Sequence, residues 1–183
     1  MMPSSIDEKL QAFFTAGWKG EKRIHGLKGG ARAFFLSRLA ALSRRPILAI
    51  TPTMREAESL FSDLAFFLGE DAAADPLKKR LHLFPSWEIL PLERLSPHPE
   101  NVAARLEGLY HLVESRDPVL ISTPTALMQR VIPKEIFKDA YVYLVAGQEL
   151  ARERLVQHLV RWGYQSLPLV EERGDLSISG AIL

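Results

Sequence analysis

The sequence contains no cysteine, which excludes disulfides, thiol nucleophiles and cysteine-ligated metals and makes a reducing cytoplasm the expected compartment. It has no excess of one charge: 23 Lys and Arg stand against 22 Asp and Glu, a formal net charge of +1. A chain so balanced cannot coat itself with nucleic acid electrostatically, although a local basic patch stays open. Nowhere are there about 18 consecutive apolar residues, so no membrane-spanning helix is expected. The start, Met1-Met2-Pro3-Ser4-Ser5 running into Asp7-Glu8-Lys9, lacks the apolar stretch of a secretory signal. There is no internal repeat and no low-complexity tract. What remains is an ordinary globular composition, 47% hydrophobic and 25% charged over 183 residues, enough for one domain with a real core or for one domain plus part of another.

The pattern along the chain alternates strands with helices. Leu10, Phe13 and Phe14 mark a short N-terminal helix closed by Gly17. A glycine-rich turn at residues 26–30 precedes a helix over Ala33 to Leu42, with Phe35, Leu36, Leu39 and Leu42 at helical spacing. Ile47 to Ile50 is a continuous apolar run, the signature of a parallel strand buried on both faces. Thr53 and Glu56 form a capping box for a helix that buries Ala57, Leu60, Phe61, Leu64 and Leu68 and stops at Gly69. Leu81 to Phe84 is a second strand. Pro85 to Pro99, with Trp87 and four prolines, cannot hold regular structure for long. Pro99 suits the first position of a helix carrying Val102, Leu106, Leu109 and Val113. Val119 to Ile121 is a third strand, and Thr123 caps the short helix after it.

Further on, Tyr141 to Val145 reads as a strand, Gln148 to Trp162 as a helix with Leu155, Val156, Leu159 and Val160 inward, and Leu167 to Glu171 as a strand. In Gly174 to Leu183, Leu176 and Ile178 alternate with Asp175, Ser177 and Ser179, the pattern of a half-buried antiparallel strand. The alternation predicts an open parallel α/β sheet with helices on both faces, followed by part of a smaller α+β subdomain that starts near Asp139.

The glycine-rich turn is the obvious place for a phosphate loop, and it has the wrong residues. In the G-x-x-x-x-G-K-[ST] loop, backbone N–H groups cradle phosphates, the Lys reaches the β/γ-phosphates and the hydroxyl ligates Mg²⁺. Counted from Gly26, those positions hold Ala31, Arg32 and Ala33. Arg32 supplies charge on a planar fork, and Ala33 supplies no ligand. The candidate strands end in Thr51-Pro52, Pro85-Ser86, Thr123-Pro124 and Ala146-Gly147, so none offers the acidic residue that holds Mg²⁺ in such ATPases. The turn is thus a plain helix lead-in or a phosphate loop without its chemistry. His25, His82, His98, His111 and His158 form no pair at zinc-ligand spacing, and no Ser lies in a G-x-S-x-G elbow. Glu88 beside Trp87 reads as a capping carboxylate, or as a tuned acid if the chain is a small α/β enzyme. Arg44, Arg45, Lys78, Lys79 and Arg80 would serve a nucleic-acid module, and otherwise form a solvated charged face.

A run of motifs then narrows the choice. Gly26-Leu27-x-Gly29-Gly30-Ala31-Arg32-Ala33 resembles the degenerate phosphate loop of the bacterial transcription-repair coupling factor family. So do Phe84-Pro85-x-Trp87-Glu88-x-Leu90-Pro91, Ser96-Pro97-His98, Arg105-Leu106-x-x-Leu109-Tyr110 and Leu127-Met128-Gln129-Arg130-Val131. Gly147-Gln148-x-Leu150, Gly163-Tyr164 and Gly180-Ala181-Ile182-Leu183 follow in the same order. The resemblance runs from about Gly26 to the end of the sequence.

The resemblance implies a region homologous to the repair protein UvrB. It would comprise an N-terminal helical lead-in (residues 1–25), a degenerate RecA-like domain (26–139) and the first part of a UvrA-binding domain (140–183). UvrB itself keeps a Lys-Thr loop, which makes Arg32-Ala33 the mark of the coupling factor. It further implies no catalytic residue, cofactor or metal in this stretch, with Gly26, Gly30, Ala31, Arg32 and Ala33 as a dead phosphate loop. The UvrA face would include Arg173, Asp175, Ser177 and Ser179, where Ser179 stands in a place that many relatives give to Arg. A full-length factor would use ATP and Mg²⁺ in a motor beyond Leu183 to translocate on double-stranded DNA and displace stalled RNA polymerase.

Overall fold

The computed structural model describes residues 8, 10–12, 20–70, 79–87, 96–172 and 174–179. The expected helix stop at Gly17 and the segment holding Glu88, Leu90, Leu92 and Leu95 lie outside them, as do Lys78, Arg173 and Gly180 to Leu183. Residues 8 and 10–12 are helical, and from Ala31 onward the described elements follow in order: α1 (Ala31–Ser43), β1 (Ile47–Ile50), α2 (Met54–Leu68), β2 (Leu81–Phe84), α3 (Pro99–Glu114), β3 (Val119–Ser122), α4 (Pro124–Leu127), α5 (Lys134–Ala140), α6 (Arg152–Arg161), β4 (Gln165–Ser166) and β5 (Asp175–Leu176).

The first three strands make a parallel sheet in the order β1-β3-β2. Ile47 pairs with Val119 on one side of the central strand, and Leu81 pairs with the same residue on the other. β3 is buried at all four positions, as a strand with a neighbour on each side and cover on each face must be. The Ser122 hydroxyl donates to the Phe84 carbonyl at 2.8 Å, so the one polar side chain of β3 is satisfied inside the sheet. The core joins Ala33, Ala40, Ala57, Leu64, Leu81, Val119 and Ile121.

Local chemistry sets the helix ends. The Glu56 amide donates to Thr53 Oγ1 at 3.2 Å, and Gly69, at φ +68°, closes α2 in the left-handed region. Pro99 opens α3, with His98 as its N-cap. The Ala126 amide donates to Thr123 Oγ1 at the start of α4. Arg80 ties the sheet to α1: its Nη2 lies 2.8 Å from Asp117 and 3.1 Å from the Ala40 carbonyl.

Several expectations change. β1 is not buried on both faces: burial alternates along it, and Leu48 and Ile50, which share one face, are 51% and 55% exposed. The face that α1 buries carries Ala33, Ser37 and Ala40, not Leu42, since small residues allow the helix to lie close on α2 and the sheet. In α3 the buried positions are Arg105, Gly108 and His111, while Leu106 is exposed. A Cβ on Gly108 would come within 3.0 Å of the Phe84 ring, so this glycine sets how near α3 rides to β2.

The C-terminal third departs most. Tyr141 to Val145 forms no strand, and the helix expected from Gln148 begins only at Arg152. α5, with Phe137 buried, was not foreseen. The expected strand at Leu167 to Glu171 is instead the two-residue β4 at Gln165–Ser166. It pairs with β5 in parallel, against the antiparallel expectation, and Leu176 is buried while Ile178 is exposed. The RecA-like assignment itself goes beyond these observations, which establish a mixed α/β fold with a small parallel sheet and flanking helices. Among the described residues no helix is long and apolar enough to cross a membrane.

Candidate functional site

The glycine-rich turn leads directly into a helix. Gly26 and Gly29 take φ of +84° and +53°, and the Ala31 amide donates to the Lys28 carbonyl at 3.1 Å before α1 begins. Residues 20–28 carry no strand, whereas a working phosphate loop links a strand to its helix. The side chain at the lysine position is turned to a protein partner: Arg32 lies 3.9 Å from Glu56, with both groups largely exposed. At the hydroxyl position, Ala33 is fully buried in the core. Its methyl group faces protein, where a metal-ligating hydroxyl would have to face a ligand.

The residues of the expected partner face do not act alike. Asp175 accepts from the Glu171 and Glu172 amides at 3.0 and 2.9 Å, and the Ser177 hydroxyl donates to the Pro168 carbonyl at 2.9 Å. Both side chains therefore hold the 167–172 turn in shape, and the turn displays Leu169, 68% exposed, and Val170. Ser179 is exposed. Arg173 lies outside the described residues.

The basic positions also separate. Arg44 and Arg45 are exposed after α1, whereas Arg80 is half-buried and bonded to Asp117 and Ala40. Arg80 is thus engaged by the fold, and Lys78 lies outside the described residues.

Tertiary folding creates a polar cluster that sequence reading did not find. His82 of β2 is buried, with Nδ1 3.2 Å from Glu107 Oε1 and Nε2 3.1 Å from the Lys79 carbonyl. Its ring stacks on His111 at 4.0 Å and 19°, and His111 Nδ1 lies 2.8 Å from Ser115 Oγ. The hydrogen bond from His82 is the main reason the Glu107 carboxyl lies below its ordinary range, with the charges of His82, His111 and Lys79 adding to it and burial opposing. The ligand atoms of His82, Glu107 and His111 come within 4.8 Å of one another. Rings stacked this nearly parallel send their in-plane lone pairs side by side, so the two imidazoles do not converge on one ion. The only advance signal was the i, i+4 spacing of Glu107 and His111 on one helix.

A second buried cation lies nearby. The Arg105 guanidinium is sandwiched between the Phe84 ring at 4.2 Å and the Trp87 ring at 4.3 Å. Its Nη1 donates to the Pro85 carbonyl at 2.7 Å and to Gln129 Oε1 at 3.2 Å, and Gln129 also accepts from the Trp87 amide. Burial lowers its pKa. Trp87 thus serves as a packing surface for Arg105.

No protein-family model matches the chain. Curated proteins do. The transcription-repair-coupling factor of Myxococcus xanthus is 36% identical over 162 residues, 88% of this chain and 13% of the relative. That of Escherichia coli K12 is 32% identical over 165 residues, 90% of this chain and 14% of the relative. The Bacillus subtilis protein is 29% identical over 163 residues, 89% of this chain and 13% of the relative. The sequence therefore spans less than a sixth of the length of each of these relatives.

Proposed function

Because the chain belongs to the transcription-repair coupling factor family, we propose that it is the UvrB-like recruiting region of such a factor, built to bring UvrA to the site of repair. The observation that carries this reading is a match along nine-tenths of the chain that occupies only 13–14% of each relative. Such a stretch is one module of a long protein, and its chemistry has to be judged by itself. It would comprise a degenerate RecA-like domain and the beginning of a UvrA-binding domain. ATP turnover, translocation on double-stranded DNA and displacement of RNA polymerase would belong to other parts of the full-length factor.

The turn geometry supports the division of labour. A phosphate loop whose cation faces Glu56 and whose hydroxyl position is a buried Ala33 has neither of the groups that would hold Mg-ATP. Recruitment would fall to the face around β5, with Asp175 and Ser177 shaping the turn and Leu169, Val170 and Ser179 offering contacts; Arg173, which the resemblance adds to this face, lies outside the described residues.

Equilibrium binding of purified UvrA to the 183-residue chain tests the reading. Expected are weak saturable binding, loss of it in Arg173→Glu and Leu169→Asp, and no saturable binding of a fluorescent ATP analogue with Mg²⁺. A folded chain that ignores UvrA, or one that binds Mg-ATP at micromolar concentration, would overturn it.

A further inference from the structure

We propose that the open cavity between α3, α5, α6 and the extended segment 141–145 receives an arginine side chain presented by a partner protein. The cavity encloses about 620 Å³, a volume that suits a side chain with its flanking backbone. Six aromatic residues line it: Tyr110, Phe137, Tyr141, Tyr143, Trp162 and Tyr164. Tyr110 and Tyr141 meet edge to face at 5.1 Å, and Phe137 stands 5.5 Å from Tyr141, so this part of the wall is a connected aromatic surface. Tyr143 and Tyr164 are 50% and 40% exposed, and their rings are open to an incoming group.

The charge on the wall selects the guest. Among the described lining residues, Glu107 is the one Asp, Glu, Lys or Arg side chain, and it is 43% exposed. Its lowered pKa keeps it ionised at neutral pH. Aromatic faces beside a carboxylate attract a cation, through the ring quadrupole and through direct charge. The wall carries no lysine or arginine to receive a phosphate; its two imidazoles are engaged, His111 with Ser115 and His158 with the Ala140 carbonyl, and Glu107 Oε1 is bonded to His82, which leaves Oε2 to meet a cation. Between the two cationic side chains, the guanidinium is planar, weakly hydrated and able to stack on a ring while donating sideways to a carboxylate. The same chain already stacks Arg105 between Phe84 and Trp87, where it donates to the Pro85 carbonyl and to Gln129 Oε1. Tyr164 of this pocket directly precedes β4, which pairs with β5, so the test uses small peptides and reads the pocket without UvrA.

The test uses the 183-residue chain, ¹⁵N-labelled, with the Trp162 indole N–H as reporter. The probes are acetyl-Gly-Arg-Gly-amide, its neutral citrulline counterpart and thymidine monophosphate. The expected result is a saturable Trp162 shift with the arginine peptide, at an affinity at least about fivefold above the citrulline peptide, and no response to the nucleotide. Glu107→Gln should remove most of that preference. Tyr164→Ala should weaken the arginine peptide while leaving the Glu107–His82 pair in place. Equal affinity for the citrulline peptide, a stronger response to the nucleotide, no Trp162 shift, or unaltered binding in both variants would each overturn the proposal.

Discussion

The segment Val119 to Ser122 and the segment Tyr141 to Val145 are both short, apolar and rich in strand-forming residues, yet they end in opposite states. The first is the middle strand of a parallel sheet and is buried at every position. The second has no ladder among the described residues, and Tyr143, Leu144 and Val145 are each at least 50% exposed. Strand propensity measures fit to a pleated, half-covered surface, and only the first segment has neighbours to supply one. β1 lies between the extremes. It pairs with β3 along one edge, and Leu48 and Ile50 stay exposed on one of its faces. The difference among these three segments is therefore one of partners more than of residues.

The sharpest way to separate the two regions is to shorten a leucine in each. Leu64→Ala, at a fully buried position in the core, should cost about 2–5 kcal/mol. Leu144→Ala, 54% exposed, should change stability by less than about 0.5 kcal/mol. Urea unfolding of both variants measures this, and equal losses would mean that the extended segment is packed after all. Gly108→Ala probes the α3–β2 approach. The added methyl would stand 3.0 Å from the Phe84 ring, and overpacking of about 1–3 kcal/mol should outweigh the gain of about 1 kcal/mol in helix propensity. A more stable variant would show that the helix can lift without loss.

The smallest effect concerns Glu107, at the border between the two regions. Its folded pKa is lowered, so the stability it contributes is present above the unfolded value near 4.5 and is lost as pH falls through the folded value. The carboxyl ¹³C titration of Glu107 should therefore have its midpoint below 4.5 and move up in His82→Gln, because the His82 hydrogen bond is the main cause. An unmoved midpoint would assign the shift to the other nearby charges.

What was readable in the sequence is local. The Thr53–Glu56 cap, the Gly69 stop, Pro99 at a helix start and Thr123 before α4 follow from groups within a few residues of one another, and all are present. The three apolar runs of the sheet were readable because strands of a small parallel sheet under helices are short and mostly apolar, with β3, the central one, buried throughout. The wrong chemistry of the glycine-rich turn was also on the page, since Ala33 carries no hydroxyl whatever its surroundings. Tertiary structure decided the rest. Leu106 and Arg105 are adjacent, and the burial of Arg105 follows from two rings, Phe84 and Trp87, that arrive from another element. His82 and His111 lie 29 positions apart, and only the docking of α3 on β2 stacks them. Whether an apolar run becomes a strand, and whether a charge is buried, depends on what the remainder of the chain places beside it, because hydrogen-bond ladders and desolvation are properties of neighbours in space.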